Sequence, residues 1–220
     1  MSTPPGGPDP VQLDCPQCGP SVVVQAHRHI DADHDTGLRQ AILQDTLQQV
    51  ECPHCQALVR AEPRLTYAEI ARGLWVAAFP HEQLGAWQTL EPGALDALRQ
   101  VQGPNARGTE RVVFGWRALR EKLLAADAGL DDVTLEKLKL LLMRDMQAPP
   151  LPLGAELRLS EVSAQSLIVT VLDRQGRPLE NLDVPHDLLA DITADPEGWA
   201  PLDSDLRAGP FVDVQRLVRG

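Results

Sequence analysis

Cys15-Pro16-Gln17-Cys18-Gly19 and Cys52-Pro53-His54-Cys55-Gln56 contain every cysteine of the 220-residue chain. A two-residue gap lets both sulfurs of one knuckle point into the same concavity. Two knuckles supply four soft thiolates, the ligand set of a closed structural zinc site with zinc–sulfur distances of about 2.3 Å. Proline after the first cysteine fixes φ and removes a backbone donor. Gly19 can take the left-handed conformation that closes such a turn, whereas Gln56 stands at the matching position of the second knuckle and weakens the turn chemistry there. The spacing predicts Zn2+ held by Cys15, Cys18, Cys52 and Cys55. An iron–sulfur cluster can use the same four thiolates. Two independent dithiols are the plainer alternative, but thiol chemistry needs a CxxC at a helix start, and neither knuckle clearly opens one.

Residues 19–51 separate the knuckles by more than the usual gap in small zinc modules, which leaves room for an inserted helix. Asp35 or Thr36 can cap it, with Leu38, Ala41 and Ile42 at helical spacing. Val22 to Ala26 reads as a strand leaving the first knuckle, and Leu47 to Glu51 as a strand entering the second. Beyond it, Leu58 to Leu65 and Gly73 to Phe79 read as strands, the latter continuously apolar and so buried, with Pro80 as its stop. Residues 81–103 suggest one or two short helices around Trp87, Leu95 and Leu98, and Gly103, Pro104, Asn105 and Gly108 a turn-rich boundary.

Trp116, Leu119 and Leu123 share one face of a helix that starts near Phe114 and reaches Asp127. Gly129 stops it, and Asp131 or Asp132 caps a second helix. That helix turns Leu135, Leu138 and Leu142 inward and Glu136, Lys137 and Lys139 largely outward. The pair reads as an αα-hairpin, broken by Ala148, Pro149, Pro150 and Pro152. Strands are expected over Leu153 to Ser160 and Leu167 to Leu172, with Gly176 in a hairpin turn. Pro185 suits the first turn of a short helix through Ile192, and Phe211, Val212 and Val214 suggest a closing strand.

The fold class is therefore α+β. A disordered, proline-rich head covers 1–11, a zinc-ribbon-like cysteine module 12–103, a helical hairpin packed on that module 104–148, and a C-terminal β-rich α/β part 149–220. A hydrophobic share of 43% indicates a packed core. No apolar run approaches the ~18 residues of a spanning helix, and no signal-peptide pattern is evident, so a cytoplasmic location and no membrane partner are expected. Paired CxxC motifs with no leftover cysteine suit a reducing compartment. The formal net charge is −11. Four thiolates around one Zn2+ would deepen it by about 2, which disfavours nucleic-acid binding. A nucleic-acid reader would need a local basic patch, for which Arg107, Arg111, Arg117 and Arg120 are the candidates.

His27-Arg28-His29-Ile30-Asp31-Ala32-Asp33-His34-Asp35 is the second chemistry-bearing stretch. In an extended chain His27, His29, Asp31 and Asp33 share a face and can hold a second divalent ion. No fixed ligand spacing is met, which favours a solvated strand end leading into a helix cap. The signatures of the common hydrolases, nucleotide triphosphatases and dinucleotide enzymes are absent, and no catalytic residue is assigned.

The knuckles, His29-Ile30-Asp31 through Leu38, Leu43 and Leu47 to Cys52, then Pro63 and Tyr67, form an ordered set. It continues with Arg111-Val112-Val113-Phe114, Leu119-Arg120-Glu121-Lys122-Leu123, Gly129-Leu130-Asp131-Asp132, Leu135-Glu136 and Leu138-Lys139. Together these resemble the CpXC-domain family over most of residues 12–146. The resemblance implies a bacterial or archaeal protein in which Cys15, Cys18, Cys52 and Cys55 bind metal, and it carries over no catalytic residue. Three function classes follow. The first is a zinc-stabilised intracellular binding or scaffold protein with a protein partner still to be identified. The second is an enzyme using the His27 to Asp35 stretch or the knuckle thiols, and the third is a nucleic-acid-binding zinc ribbon.

Overall fold

The computed structural model describes residues 7–102, 108–145, 151, 152 and 154–218. Most of the proline-rich head, the turn at Gly103 to Asn105, Arg107, the break at Ala148 to Pro150 and the start of a strand at Leu153 lie outside the described residues. The chain is α+β, and its contacts divide it into two units, residues 1–116 and 117–220.

The first unit starts with a hairpin of β1 (Asp9–Asp14) and β2 (Ser21–Ala26), paired antiparallel with Val11 opposite Val24. β2 alternates strictly, Val22, Val24 and Ala26 inward and Ser21, Val23 and Gln25 outward, the period-2 pattern of a half-buried strand. Asp9 to Val11 are thus strand, which shortens the expected disordered head: their pairing with β2 ties them down. β3 (His29–Asp31) leads to α1 (Thr36–Leu43), the expected inserted helix, which buries Ile42. A second short hairpin pairs β4 (Gln49–Glu51) with β5 (Leu58–Arg60).

The strand expected over Leu58 to Leu65 is two strands, because β5 ends at Arg60 and β6 (Leu65–Glu69) pairs elsewhere. Pro63 sits in the break and has no N–H to give to a ladder. β7 (Leu74–Phe79) is buried at all six positions, as its apolar run predicts. After a 3-10 turn (His81–Ala86) and α2 (Trp87–Gln102), the chain forms β8 (Thr109–Phe114). β8 completes a sheet of order β3-β6-β7-β8, in which β3 runs parallel to β6 and β8 parallel to β7. Tyr67, Val76, Ile30, Leu98 and Val112 are fully enclosed. The buried Glu69 carboxylate accepts from Tyr67 Oη at 2.8 Å and pairs with Arg39 of α1 at 3.2 Å, which fixes the inserted helix to β6.

The second unit contains α3 (Trp116–Asp127) and α4 (Asp132–Asp145), joined through Gly129 at φ 66°, with Asp131 Oδ2 accepting from the Thr134 N–H at the start of α4. An antiparallel meander of β9 (Glu156–Val162), β10 (Ser166–Leu172) and β11 (Pro178–Pro185) follows. Leu135 and Leu138 of α4 share a core with Leu157, Leu159, Leu167 and Val169 of this sheet. With Ala125 of α3 in the same core, the helical pair groups with the C-terminal strands. The chain ends in α5 (Asp187–Ala194), α6 (Pro196–Leu206) and α7 (Gln215–Val218).

Pro185 closes β11 instead of opening a helix; the preceding alternation of Leu182 and Val184 carries the strand that far. Phe211, Val212 and Val214 are buried but form no strand, since they run into α7, with Val212 O and the Val214 N–H met by side chains and Val214 O by the N–H groups of Leu217 and Val218. The largest departure concerns α4. Glu136 and Lys139 are 0% exposed and Lys137 8%, so the face expected to be solvated lies inside. The reason is that each has a charged partner waiting: Lys139 meets Glu121 and Glu136, and Lys137 meets Asp203.

Candidate metal centre

Each knuckle sits at the tip of a hairpin, and the two tips fold alike. In the first, the Cys15 N–H donates to Pro20 O at 3.0 Å and the Gly19 N–H to Cys15 O at 2.9 Å. In the second, Cys52 N–H donates to Ala57 O at 2.8 Å and Gln56 N–H to Cys52 O at 2.8 Å. Gly19 has φ 93° and Gln56 φ 63°, so the second turn demands the left-handed conformation even though its residue is not glycine.

The hairpins bring their sulfurs together. Cys15 Sγ lies 3.6 Å from Cys55 Sγ and Cys18 Sγ 3.6 Å from Cys52 Sγ, and all four lie within 4.8 Å of one another. A tetrahedral ion with bonds of about 2.3 Å to each sulfur would set them about 3.8 Å apart. The set therefore has the size a metal ion needs, and at 3.6 Å the thiols are free, far beyond a disulfide bond. Cys15 and Cys52 are buried, Cys55 is half-buried, and Cys18 is the cysteine that faces solvent. Backbone N–H groups of Gln17 and Cys18 point at Cys15 and bring its thiol down to about 6, readying it as a thiolate. The Cys18 thiol is pushed up by its contact with Cys55 and by burial. One charge is welcomed by the turn while the next is resisted, which is the electrostatic problem a divalent cation would remove.

This end of the unit has a small apolar core, with Val11, Leu13, Val50 and Ala57 partly buried against it. That core is Val22, Val24, Ala26, Val59 and Ala61 around the buried Cys15 and Cys52. Gln48, which sequence reasoning passed over, bridges the bases of the two hairpins. Its Oε1 accepts from the His27 N–H that follows β2, and its Nε2 donates to Ala61 O, just after β5, at 3.1 Å. A glutamine leading into a strand carries no signal of such a role; only its burial reveals it.

The structure uses the His27 to Asp35 stretch differently from an extended ligand array. β2 ends at Ala26 and β3 spans only His29–Asp31, so the alternation does not run through. Asp33 caps the 3-10 turn at Ile70–Arg72, accepting from the N–H groups of Ile70 at 2.6 Å and Ala71 at 3.2 Å. Asp31 accepts from Asp33 N–H and pairs with His34 Nδ1 at 2.9 Å. Among the described residues, the four cysteines are the group of three or more Cys, His, Asp and Glu side chains whose ligand atoms converge. Two of the candidate basic residues have local tasks as well, Arg111 donating to Glu110 O and Arg120 to Ser160 O. Among the described residues, no helix is long and apolar enough to cross a membrane.

No curated protein and no solved structure is significantly similar to the chain. The family model described as CpXC protein matches residues 13–139, more than half of the sequence, spanning both knuckles and ending in α4. With the two Cys-Pro-X-Cys turns folded alike and their sulfurs gathered, the chain belongs to the CpXC family.

Proposed function

We propose that Cys15, Cys18, Cys52 and Cys55 ligate a single Zn2+ ion and that the chain is an intracellular binding or scaffold protein stabilised by that metal. The observation carrying this reading is the convergence of four sulfurs within 4.8 Å on two matching turns. Four protein thiolates fill a tetrahedral shell and leave no position for water or substrate, which is the arrangement of structural rather than catalytic zinc. In this reading the two knuckle hairpins form a zinc-ribbon-like module with α1 as its inserted helix, and α3 with α4 an antiparallel hairpin. The protein's own partner is another protein, in keeping with an acidic surface that repels phosphate backbones.

Native mass spectrometry of protein purified from its own host tests metal identity and stoichiometry together. One zinc per chain is the expected result. Bound iron, or a metal-free protein that keeps its fold, would overturn the metal assignment. A second ion would direct attention back to His27, His29, Asp31 and Asp33. Chelation followed by circular dichroism tests the structural role, and cross-linking in the same host tests the partner; a chain recovered alone counts against the scaffold reading.

A further inference from the structure

The second unit encloses a connected set of charges that the metal centre does not use. Lys139 Nζ lies 2.6 Å from Glu121 Oε1 and 2.8 Å from Glu136 Oε1, with all three side chains 0% exposed. Arg158 of β9 pairs with Glu121 at 3.2 Å, Glu156 at 2.8 Å and Asp213 at 2.6 Å. Lys122 of α3 pairs with Asp132 at 2.9 Å and reaches Glu136 at 3.7 Å.

Three consecutive residues of the C-terminal segment are held by this set. Val212 O accepts from Lys122 Nζ at 2.7 Å, the Asp213 carboxylate takes Arg158, and the Val214 N–H donates to Glu136 Oε2 at 2.9 Å. Phe211, Val212 and Val214 are buried alongside, Val212 against Val133, Leu206 and Leu217.

Five carboxylates, Glu121, Asp132, Glu136, Glu156 and Asp213, share the three cations Lys122, Lys139 and Arg158, and neither cation beside Glu136 has it as its nearest partner. Lys139 is closer to Glu121, and Lys122 is much closer to Asp132. The groups facing it are Glu121 and Lys122 from α3, Asp132 and Lys139 from α4, Arg158 from β9 and Asp213 from the C-terminal segment. A buried charge that must share its counter-ions is costly, and proton uptake is the route by which such a group is neutralised.

We propose that Glu136 is a proton-controlled catch: with a proton on Glu136 the segment 211–218 is held against α3, α4 and β9, and loss of that proton loosens it. A proton on Oε1 leaves Oε2 to accept from the Val214 N–H, and the two lysines on the Oε1 side keep Glu121, Asp132 and Val212 O as acceptors; what changes is the charge enclosed. Burial is the main cause that pushes the Glu136 carboxyl up to about 7; Asp213 and Glu121 add to it, and Lys139 and Lys122 oppose it. In a released segment the carboxyl meets water and returns toward about 4.3. A group whose closed-state value is raised favours closure fully below the open-state value, and that favour is lost as pH rises through the closed-state value. The window is therefore about pH 4.3 to 7, with loosening complete on the alkaline side.

Hydrogen exchange of the full-length, metal-loaded protein between pH 6 and 8.5, corrected for the intrinsic rate, reads the catch directly. Protection of residues 211–218 is expected to fall about tenfold across this range, while β10 changes little. Glu136→Gln, nearly isosteric and neutral, is expected to keep that protection high and flat. A flat wild-type profile, a Glu136→Gln profile with the same slope, or an equal fall in β10 would each overturn the proposal. Should the variant not fold, carbon-13 carboxyl resonances of the wild-type protein decide: a glutamate titrating near 7 supports the catch, and none titrating between pH 5.5 and 8.5 overturns it.

Discussion

The two units put polar atoms inside by opposite means. In the cysteine module four sulfurs converge at the tips of two hairpins, over a core of a few valines and alanines. In the second unit charges of both signs, spread over α3, α4, β9 and the C-terminal segment, pair with one another within a larger apolar core. With the proposed zinc, the first solution would take its compensating charge from outside the chain, and its stability would be linked to metal concentration. The second carries its counter-charges with it and is linked to pH instead.

Cys52→Ser separates the two most sharply. Removing a ligand from the proposed zinc site forfeits most of a binding energy of about 10 kcal/mol or more in small zinc modules. Zinc is expected to be absent from the purified variant, and amide protection over residues 9–61 to collapse while residues 156–185 keep theirs. Loss of protection in both regions together would show that they do not stand on separate supports.

Lys139→Met strikes the other side. Glu121 would lose its nearest cation, 2.6 Å away, and be left with Arg158 at 3.2 Å, while Glu136 would hold its proton to higher pH. Breaking a buried pair from one end costs about 3–5 kcal/mol. Chemical denaturation should report that loss in the second unit, with zinc content unchanged. On the acid side, burial would raise the Asp213 carboxyl, but Arg158 and Lys139 outweigh it and hold it at about 2. Its contribution is present above about 3.9, the unfolded value, and is lost as pH falls through the folded value. Acid unfolding should therefore begin earlier in Asp213→Asn, which lacks the nearest of the three carboxylates around Arg158.

Gln48→Ala returns to the cysteine module and is expected to cost about 2 kcal/mol, since the His27 N–H and Ala61 O each lose their side-chain partner. A drop in zinc affinity alongside the loss of stability, measured by competition with a chromogenic chelator, would show that Gln48 aligns the hairpins. An unchanged affinity would confine it to folding.

These contrasts also explain what could be read from the chain alone. A two-residue gap between cysteines fixes how a turn presents its sulfurs, so the gathering of Cys15, Cys18, Cys52 and Cys55 could be read from their spacing. β2, β7 and α1 follow from a valine run after the first knuckle, a continuous apolar run and a 3.6-residue pattern, although Asp35, the expected cap of α1, makes no side-chain capping hydrogen bond. Glu136, Lys137 and Lys139 misled because charged residues among leucines at helical spacing look the same whether they face water or a ring of opposite charges contributed by Glu121 and Asp203. That distinction depends on partners as many as 66 residues away, which no local pattern contains. The same holds for Phe211 to Val214, whose apolar character suggested a strand but whose Val212 O and Val214 N–H are taken by Lys122 and Glu136.

The smallest expected effect lies in the comparison of the two knuckles themselves. Their hydrogen bonds match, yet one left-handed position is Gly19 and the other Gln56. A residue with a Cβ pays roughly 1–2 kcal/mol there, so Gln56→Gly should stabilise the metal-bound module by about 1 kcal/mol, part of the gain being offset by the greater freedom of glycine in the unfolded chain. Gly19→Ala should destabilise by a similar amount through the backbone alone, because a Cβ at Gly19 would meet no atom within 4 Å. Opposite signs of similar size, read from chelator-induced unfolding midpoints, would establish that the two turns impose the same strain. A neutral Gln56→Gly with a costly Gly19→Ala would instead mean that the Gln56 side chain contributes to the second knuckle something its backbone geometry does not reveal.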